Sequence, residues 1–224
     1  DYAPRGNCPT SLRAEKTAGT DNMGEFSDRV VVITGGSRGI GKAIAASFAR
    51  EGAQTVLAAS SQANLDKAAA EIGNHGPKPF TLAGDLKTLE ACEALHKFVQ
   101  EKAGRCDVLV NNAGATRSGN FLELPDEAFH DGFALKYFAC VRLCKLFWPM
   151  LQEREGRVVN IIGGAARTPD ALFLIGGSVN SAMANFSKGL SVLGKKDGVN
   201  VNVIHPGLTE TDRVSTLLAR SVSV

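Results

Sequence analysis

Long apolar runs are missing from this sequence, which has no stretch of about 18 apolar residues and therefore no predicted membrane span. A strong charge of either sign is also missing, because 25 lysine and arginine residues face 23 aspartate and glutamate residues, a net charge of +2. The basic residues are scattered, which argues against nucleic acid as the main ligand. The remaining composition, 44% apolar and 21% charged over 224 residues, is typical of one globular domain.

Cysteine pairs of the CxxC type are missing as well. The five cysteines are an odd number, which argues against a complete disulfide framework. Cys140 and Cys144 could share one face of a helix, but a metal site would need further ligands close by. We therefore expect reduced thiols in a cytoplasmic protein and no metal.

The segment before Met23 has neither a fold pattern nor the apolar centre of a secretory signal. Residues 1–22 are polar and of mixed charge, and Met23, with an apolar strand soon after it, looks like a natural start. We interpret residues 1–22 as a disordered extension or as the remainder of an expression tag. Residues 23–224 are then a single domain.

Short β-rich runs alternate with helical patterns along that domain. VVVIT is a continuous apolar run, which is typical of a strand buried on both faces. Alternating strands and helices imply a parallel sheet with right-handed crossovers and helices on both faces. The predicted fold class is α/β, a doubly wound Rossmann fold with a mostly parallel sheet of about six strands. The predicted strands are residues 30–34, 54–58, 79–84, 107–111, 157–162 and 199–204.

Helical patterns occupy the intervals between these strands. Ser61 is expected to cap a helix through Ile72, and a long helix in two pieces is predicted from about Asp126 or Phe133 to Leu151. A further helix is predicted over 176–193. The helix after the third strand is expected to turn five residues inward: Leu89, Cys92, Leu95, Phe98 and Val99.

The turn TGGSRGIGK, residues 34–42, joins the first strand to the first helix. Phosphate can sit on a helix N-terminus only where the backbone comes close, and glycines clear that space. A strand before the turn and a helix after it are the context that dinucleotide binding requires. The NTPase phosphate-loop pattern is nearly met, but Ala43 stands where a magnesium-binding hydroxyl is needed, so phosphoryl transfer is the poorer reading.

Four motifs in order resemble the short-chain dehydrogenase/reductase family: TGGSRGIG after the first strand, Asp85-Leu86 after the third, NNAG at 111–114 and HPG at 205–207. The resemblance implies NAD(P)-dependent hydride transfer to or from a small carbonyl or alcohol. It also implies roles for single residues, although Asp85 could instead cap a helix and NNAG could be an ordinary turn. The implied cofactor-binding residues are Gly35, Ser37, Arg38, Gly39, Ile40, Gly41, Ser60, Asp85, Leu86, Asn112, Ala113, Gly114, Pro206, Gly207 and Thr211.

The choice of dinucleotide depends on the residues after the second strand. An acidic side chain there would bind the ribose 2′-hydroxyl of NAD, but the sequence has Ala59, Ser60 and Ser61. Arg38 lies in the glycine turn and can bind a 2′-phosphate through two donors. Both features favour NADP(H) over NAD(H), with a solvated Arg38 as the alternative.

The family's proton-transfer residues are where the resemblance fails. Aligned on FSKGL, the family's Tyr, Lys, Ser and Asn positions fall on Gly176, Asn180, Gly163 and Lys136. No tyrosine follows Tyr137 in the sequence, so YxxxK cannot occur in this helix in any register. We therefore interpret the chain as an atypical member that lacks the Ser, Tyr and Lys residues.

Replacements for that chemistry are few, and Lys136 and Asn180 are the best candidates. Lys136 could supply a charge and Asn180 could donate to a carbonyl. Gly177, Ser181 and Ala184 repeat at helical spacing, which predicts close packing, at a subunit interface of a dimer or tetramer, or a roomy pocket beside the nicotinamide. Weaker candidates lie in adjacent loops or strand ends: Ser178, Arg167, Asp170 and His205.

Two functions follow from these motifs. The first is an NADP(H)-dependent oxidoreductase with a non-standard site and a small-molecule substrate, and the alternative is a non-catalytic cofactor-binding regulatory or scaffold subunit. The chain stops at Val224, soon after the HPG turn, and looks truncated relative to the family. We therefore expect a seventh strand and much of the substrate lid to be missing, and with them the residues that set specificity.

Overall fold

A computed structural model describes residues 24–207 and 209. The predicted extension 1–22, Cys8, Thr211 and the end of the chain lie outside the described residues. The strands are β1 (Val30–Thr34), β2 (Gln54–Ala59), β3 (Phe80–Ala83), β4 (Val108–Asn111), β5 (Arg157–Ile161) and β6 (Asn200–Ile204). The helices are α1 (Gly39–Arg50), α2 (Gln62–Gly73), α3 (Leu89–Ala103), α4 (Asp126–Phe133), α5 (Ala139–Gln152) and α6 (Leu174–Asp197).

The six strands form one sheet in the order β3-β2-β1-β4-β5-β6, and every neighbouring pair is parallel. Thr34 pairs with Ala58 on β2, and Asn111 pairs with Asn160 on β5. The strand order reverses between β1 and β4, which is the place where ligands bind in doubly wound sheets. The prediction of a Rossmann fold with about six parallel strands is confirmed.

Alternate residues of β1 face two different cores, which explains its unbroken apolar run. Val30 and Val32 belong to the core beneath α3, α5 and α6, and Val31 and Ile33 belong to the core beneath α1 and α2. All five residues of β1 are buried, and its only polar side chain is that of Thr34 at the carboxyl end. The carboxyl ends of the strands are therefore the place for chemistry.

The helices follow the predicted patterns with a few differences. Ser61 caps α2 as expected, because its Oγ accepts from the N–H of Asn64. The inward placement of Leu89 is wrong: it is the first residue of α3 and 44% of it is exposed, because the core-facing stripe begins one turn later at Cys92. Helix α6 extends beyond the predicted end to Asp197, where Gly198 adopts φ +74° and ends it.

The two pieces of the long helix are connected by a segment that the sequence analysis did not predict. Between α4 and α5 the backbone forms a π-helical segment, Ala134–Phe138, that carries Lys136. Such segments insert an extra residue into a helix and are frequent at functional sites.

The described thiols are all buried and free: Cys92, Cys106, Cys140 and Cys144. Cys140 and Cys144 do share one face of α5, and the neighbouring Cys144 thiol together with burial raises the pKa of Cys140. Among the described residues no group of three side chains could hold a metal ion. Within the same residues, no helix is long and apolar enough to cross a membrane.

Candidate cofactor and active site

The glycine turn brings bare backbone to the crossover between β1 and β4. Gly35 and Gly39 adopt φ +65° and +53°, which favours glycine, and Gly35 N–H donates to Ala58 O at 2.7 Å. A Cβ on Gly41 would overlap Gly35 O. Arg38 is the N-cap of α1 and makes no side-chain capping bond with the described residues, so the first N–H groups of α1 face the turn.

Thr34 and Asn112 lock this turn to the end of β4. Thr34 Oγ1 accepts from the N–H groups of Asn112 and Ala113 at 3.0 and 2.9 Å. The side-chain amide of Asn112 donates to Thr34 O at 3.0 Å and to Gly35 O at 3.3 Å. Asn112 therefore shapes the floor of the predicted site through the backbone, and its side chain is committed to the turn.

The predicted adenosine end lies at the ends of β2 and β3. Ser60 is exposed there, and Gly84 N–H donates to Ala59 O at 3.0 Å, which holds Asp85 beside it. Asp85 Oδ1 accepts from Lys87 N–H at 3.1 Å, while Thr88 caps α3. The side chain of Leu86 is buried in the core, with only 4% exposed.

Positive charge surrounds the outer side of the glycine turn. Arg38 is exposed, and with Lys42 and Arg50 it lines a cavity of about 490 Å³ between α1 and α2. Lys42 is paired with Glu71 at 2.7 Å, so Arg38 and Arg50 carry most of the excess charge. None of the described lining residues belongs to β4, β5 or α6, so this cavity lies outside the predicted site of hydride transfer.

Lys136 lies over the other side of the β4 end. A Cβ on Gly114 would come within 2.9 Å of Lys136 Cδ and 3.2 Å of its Cγ, so the lysine stem covers Gly114. Only the absence of a side chain at 114 allows that approach. The π-helical segment and the NNAG turn are thus fitted to each other.

Gly163, Gly176 and Asn180 are brought together between the end of β5 and helix α6. Asn180 is 2% exposed, and its Oδ1 accepts from Gly163 N–H at 3.0 Å. A Cβ on Gly163 would lie 2.9 Å from Asn180 Nδ2. A Cβ on Gly176 would overlap the ring of Phe173, which stands against the helix at that position.

The weaker candidates for catalytic residues do not form one cluster. Asp170 organises the turn before α6, because its Oδ1 accepts from Leu172 N–H at 2.8 Å and its carbonyl accepts from Phe173 N–H at 3.0 Å. Arg167 and Ser178 are exposed, and His205 Nδ1 is buried without a hydrogen-bond partner among the described residues. Pro206 and Gly207 follow His205 at the end of β6, half-buried and exposed.

The small residues of α6 accommodate the segment that follows β5. Ser181 Oγ donates to Ala166 O at 3.3 Å, and a Cβ on Gly177 would lie 3.5 Å from Ala165 O. Gly177 and Ser181 thus provide the close backbone approach that their spacing predicts. Ala184 packs against the core instead.

A buried polar row lies beneath these positions and was not predicted. Asn111 Nδ2 donates to Asn160 Oδ1 at 2.9 Å, and Asn160 Nδ2 donates to Ser187 Oγ at 2.8 Å. Ser187 in turn donates to Met183 O at 2.7 Å. The row joins β4, β5 and α6 immediately below the Gly163–Asn180 contact.

Comparison with known proteins assigns the family. Residues 29–221 match the family described as short chain dehydrogenase. The chain belongs to the short-chain dehydrogenases. The glycine turn, the Asn112 lock and the ends of β4 and β5 are therefore the parts of a short-chain dehydrogenase fold.

Relatives within this family are oxidoreductases. Probable oxidoreductase EphD of Mycobacterium tuberculosis is 34% identical over 195 residues, which cover 86% of this chain and 33% of EphD. The chain thus spans about a third of the length of EphD.

Solved short-chain dehydrogenase structures agree with the fold. L-sorbose reductase from Gluconobacter frateurii, complexed with NADPH and L-sorbose, matches with a TM-score of 0.83 and 34% identity, over 89% of this chain and 78% of that one. YwfH, an NADPH-dependent reductase involved in bacilysin biosynthesis, matches with a TM-score of 0.83 and 27% identity, over 88% and 79%. These short-chain dehydrogenase relatives are NADPH-dependent or bind NADPH.

Three residues of this short-chain dehydrogenase site were missed by the sequence reasoning. Thr34 was counted as the start of the glycine turn without a role for its hydroxyl, Ser187 was counted as part of a helix, and Phe173 was not counted at all. A threonine at the end of a buried strand is a signal that could have found Thr34, because a buried hydroxyl needs partners. Phe173 lies in an irregular segment, where spacing carries no information about contacts.

Proposed function

We propose that this chain is an NADP(H)-dependent oxidoreductase that transfers hydride to or from a small carbonyl or alcohol at a non-standard active site. The observation that carries the proposal is the bare N-terminus of α1 beside the locked β1–β4 crossover. Backbone N–H groups and the helix dipole there favour a diphosphate. Membership of an oxidoreductase family supports the same function.

The cofactor would lie along the carboxyl ends of the strands. Gly35, Ser37, Gly39, Ile40 and Gly41 would hold the pyrophosphate. Other residues would contact the rest of the cofactor: Ser60, Asp85 and Leu86 at the adenosine, Asn112, Ala113 and Gly114 beneath it, and Pro206, Gly207 and Thr211 at the nicotinamide.

NADP(H) is the proposed form of the cofactor. Arg38 is exposed at the turn, Ser60 is exposed at the end of β2, and no carboxylate stands at that position to repel a 2′-phosphate. Arg38 can bind the phosphate with two parallel hydrogen bonds. The NADPH named for L-sorbose reductase and YwfH supports this choice.

Lys136 and Asn180 are the proposed active-site side chains. Asn180 uses Oδ1 to hold Gly163, which leaves its NH₂ group as a donor to oxygen charge that develops on the substrate. Lys136 would add positive charge at Gly114. The usual Ser and Tyr positions would contribute only space, because they are Gly163 and Gly176.

A non-catalytic cofactor-binding subunit is the second candidate function. The glycine at 176 and the asparagine at 180 favour it, since neither residue type can act as a proton relay. A positioned acid contributes about 10²–10⁴ in rate, so a chain without one could bind the cofactor and turn over too slowly to matter.

Calorimetry and turnover with the purified chain test these proposals together. NADPH should bind more tightly than NADH, and Arg38→Leu should weaken NADPH binding by more than about tenfold while NADH binding stays the same. Gly39→Asp should abolish binding of both, because its carboxylate would face the diphosphate, and Asp tolerates the left-handed backbone at 39.

Ala70→Asp is the matched control, since it adds the same charge at an exposed position of α2. Sustained NADPH oxidation with aldehydes or ketones that is lost in Gly39→Asp would support the oxidoreductase. Micromolar NADPH binding without consumption of any acceptor would support the binding subunit. Equal affinity of Arg38→Leu and wild type for NADPH would contradict the assignment of Arg38.

Homo-oligomer formation through α5 and α6 is also proposed. Phe138, just before α5, and Val192 and Leu193, on α6, are 47%, 69% and 47% exposed. The same part of the molecule has a groove of about 580 Å³, which Tyr137 and Phe186 help to line. Apolar side chains exposed in such a cluster are typical of subunit interfaces.

A further inference from the structure

The turn between β3 and α3 is held at both of its ends by hydrogen bonds to backbone carbonyl groups. At its start, Asp85 O accepts from Thr88 N–H at 3.2 Å, which is a contact within the turn. Near its end, Lys87 O accepts from Arg142 Nη1 at 2.7 Å, and Arg142 lies 55 residues further along the chain, on α5. The shape of the turn therefore depends on one distant side chain.

Arg142 is suited to hold this turn. A hydrogen bond from a charged donor is roughly twice as strong as one between neutral groups. The guanidinium carbon of Arg142 also lies 5.8 Å from the centroid of the Phe138 ring, and the cation–π attraction helps to fix the arginine in place. The donor to Lys87 O is thus both charged and restrained.

Lys87 connects Arg142 to the carboxylate of Asp85. The backbone N–H of Lys87 donates to Asp85 Oδ1 at 3.1 Å, while its carbonyl accepts from Arg142. The Lys87 ammonium donates to Asp131 Oδ1 at 3.3 Å and stays 3.6 Å from Asp85 Oδ2, which is longer than a hydrogen bond. Asp85 Oδ2 can therefore accept from a ligand.

The carboxylate of Asp85 is not needed to cap α3. Thr88 Oγ1 does this by accepting from Ala91 N–H at 3.2 Å, and the side chain of Asp85 is 55% exposed. The next N–H, that of Leu86, donates to no acceptor in the described part of the chain. An acceptor followed by a donor complements adenine, whose 6-amino group donates and whose N1 accepts. Hypoxanthine presents the reverse pattern, a carbonyl at C6 and an N–H at N1.

We propose that Arg142 is a positioning residue for adenine recognition, because its hydrogen bond to Lys87 O holds the turn from which Asp85 accepts the 6-amino group of the cofactor. The inference rests on the proposed binding of NADP(H). Without Arg142 the turn can relax, and the carboxylate then distinguishes adenine from hypoxanthine less well. The glycine turn that is proposed to hold the diphosphate is a separate loop, so binding of the rest of the cofactor remains.

Calorimetry with NADPH and with deamino-NADPH, in which hypoxanthine replaces adenine, measures this recognition as the ratio of the two Kd values. The wild type should bind NADPH at least about tenfold more tightly, since a hydrogen bond to a charged group is lost in the analogue. Asp85→Asn should bring the ratio to about one, because an amide can also donate to the hypoxanthine carbonyl. Arg142→Met should lower the ratio to about two, with the Kd for deamino-NADPH within about twofold of the wild-type value.

Two further variants serve as controls for Arg142→Met. Lys145→Met removes an exposed cation from the same helix and should leave the ratio at its wild-type value. Arg142→Lys keeps a charged donor at the same position and should hold the ratio above that of Arg142→Met. A general loss of structure would weaken the binding of both dinucleotides alike and would not change the ratio.

A wild-type ratio in Arg142→Met, or equal ratios in Arg142→Met and Arg142→Lys, would overturn the positioning role of Arg142. A ratio near one in the wild type, or a wild-type ratio in Asp85→Asn, would overturn adenine recognition by Asp85 and leave NADP(H) binding in place. If neither dinucleotide bound to the wild type, the proposed function would fall with the inference.

Discussion

At the scale of single residues, Thr34 decides whether the glycine turn keeps its shape. Its Oγ1 accepts two backbone N–H groups from the end of β4 and lies 3.4 Å from Val110 O, to which it donates. Thr34 is 2% exposed, so water cannot replace these bonds. One hydroxyl thus connects the two strands between which the cofactor is proposed to bind.

Thr34→Val should destabilise the protein by about 1–3 kcal/mol, because two N–H groups lose their acceptor without a change of shape. NADPH affinity should fall with it, since the turn is then free to relax. Thr34→Ser keeps the oxygen and should retain both properties. Urea unfolding and calorimetry measure the two effects, and a fully stable Thr34→Val with wild-type affinity would contradict the role of the hydroxyl.

Asp107 anchors the opposite end of the same strands. Burial alone would raise its pKa, but hydrogen bonds from Arg105, from Val30 N–H at 2.9 Å and from Arg29 at 3.0 Å hold the pKa below its usual value. A lowered pKa in the folded state means that stability is present above the unfolded-state pKa of about 3.9. That stability is lost as the pH falls through the folded-state pKa.

Asp107→Asn should therefore lower the free energy of unfolding at pH 7 by about 1–3 kcal/mol and flatten its decline on acidification. Glu93→Gln, at an exposed position of α3, is the control and should leave both unchanged. Unfolding in urea between pH 3 and pH 7 measures the difference. If the free energy of unfolding of Asp107→Asn fell on acidification as steeply as that of the wild type, another group would control the acid sensitivity.

At the scale of elements, the buried polar row sets the position of α6 on the sheet. Ser187 accepts from Asn160 and lies about two turns after Asn180 on α6. Ser187→Ala should cost about 1–3 kcal/mol, because the Asn160 amide keeps its buried donor and loses the acceptor. Ser191→Ala, on the same helix, removes a hydroxyl bonded only locally to Lys188 O and should cost less.

Urea unfolding of the two serine variants gives the comparison directly. Equal losses in Ser187→Ala and Ser191→Ala would show that the row has no special role. A larger loss in Ser187→Ala, together with a raised KM, would mean that α6 had shifted at the Gly163–Asn180 contact.

The predictability of these elements follows from what sequence patterns encode. The strands were accessible because apolar runs and the glycine turn are local signals, and all six strands were found. The π-helical segment at Lys136 was not accessible, because the periodicity of a helix does not show where one extra residue is inserted. The contact of Phe173 with Gly176 was hidden for a different reason, since irregular segments have no period.

At the scale of the whole molecule, the sheet and its two layers account for most of the apolar burial, and α6 adds an exposed apolar side. Val192→Glu combined with Leu193→Glu should shift the proposed dimer or tetramer to monomer, because two carboxylates would be buried in its interface. Leu89→Glu changes an exposed leucine on α3 and should not. Light scattering after size exclusion measures the mass, and a monomeric wild type would contradict the proposal.

The Asp107 cluster lies at the starting ends of β1 and β4, and the candidate site lies at their finishing ends. The loss of stability in acid and the choice of acceptor are thereby assigned to opposite rims of one sheet. A library randomised at the exposed positions 121, 122 and 172 should consequently yield mostly well-folded clones, so that new reactivities can be screened without first repairing the scaffold.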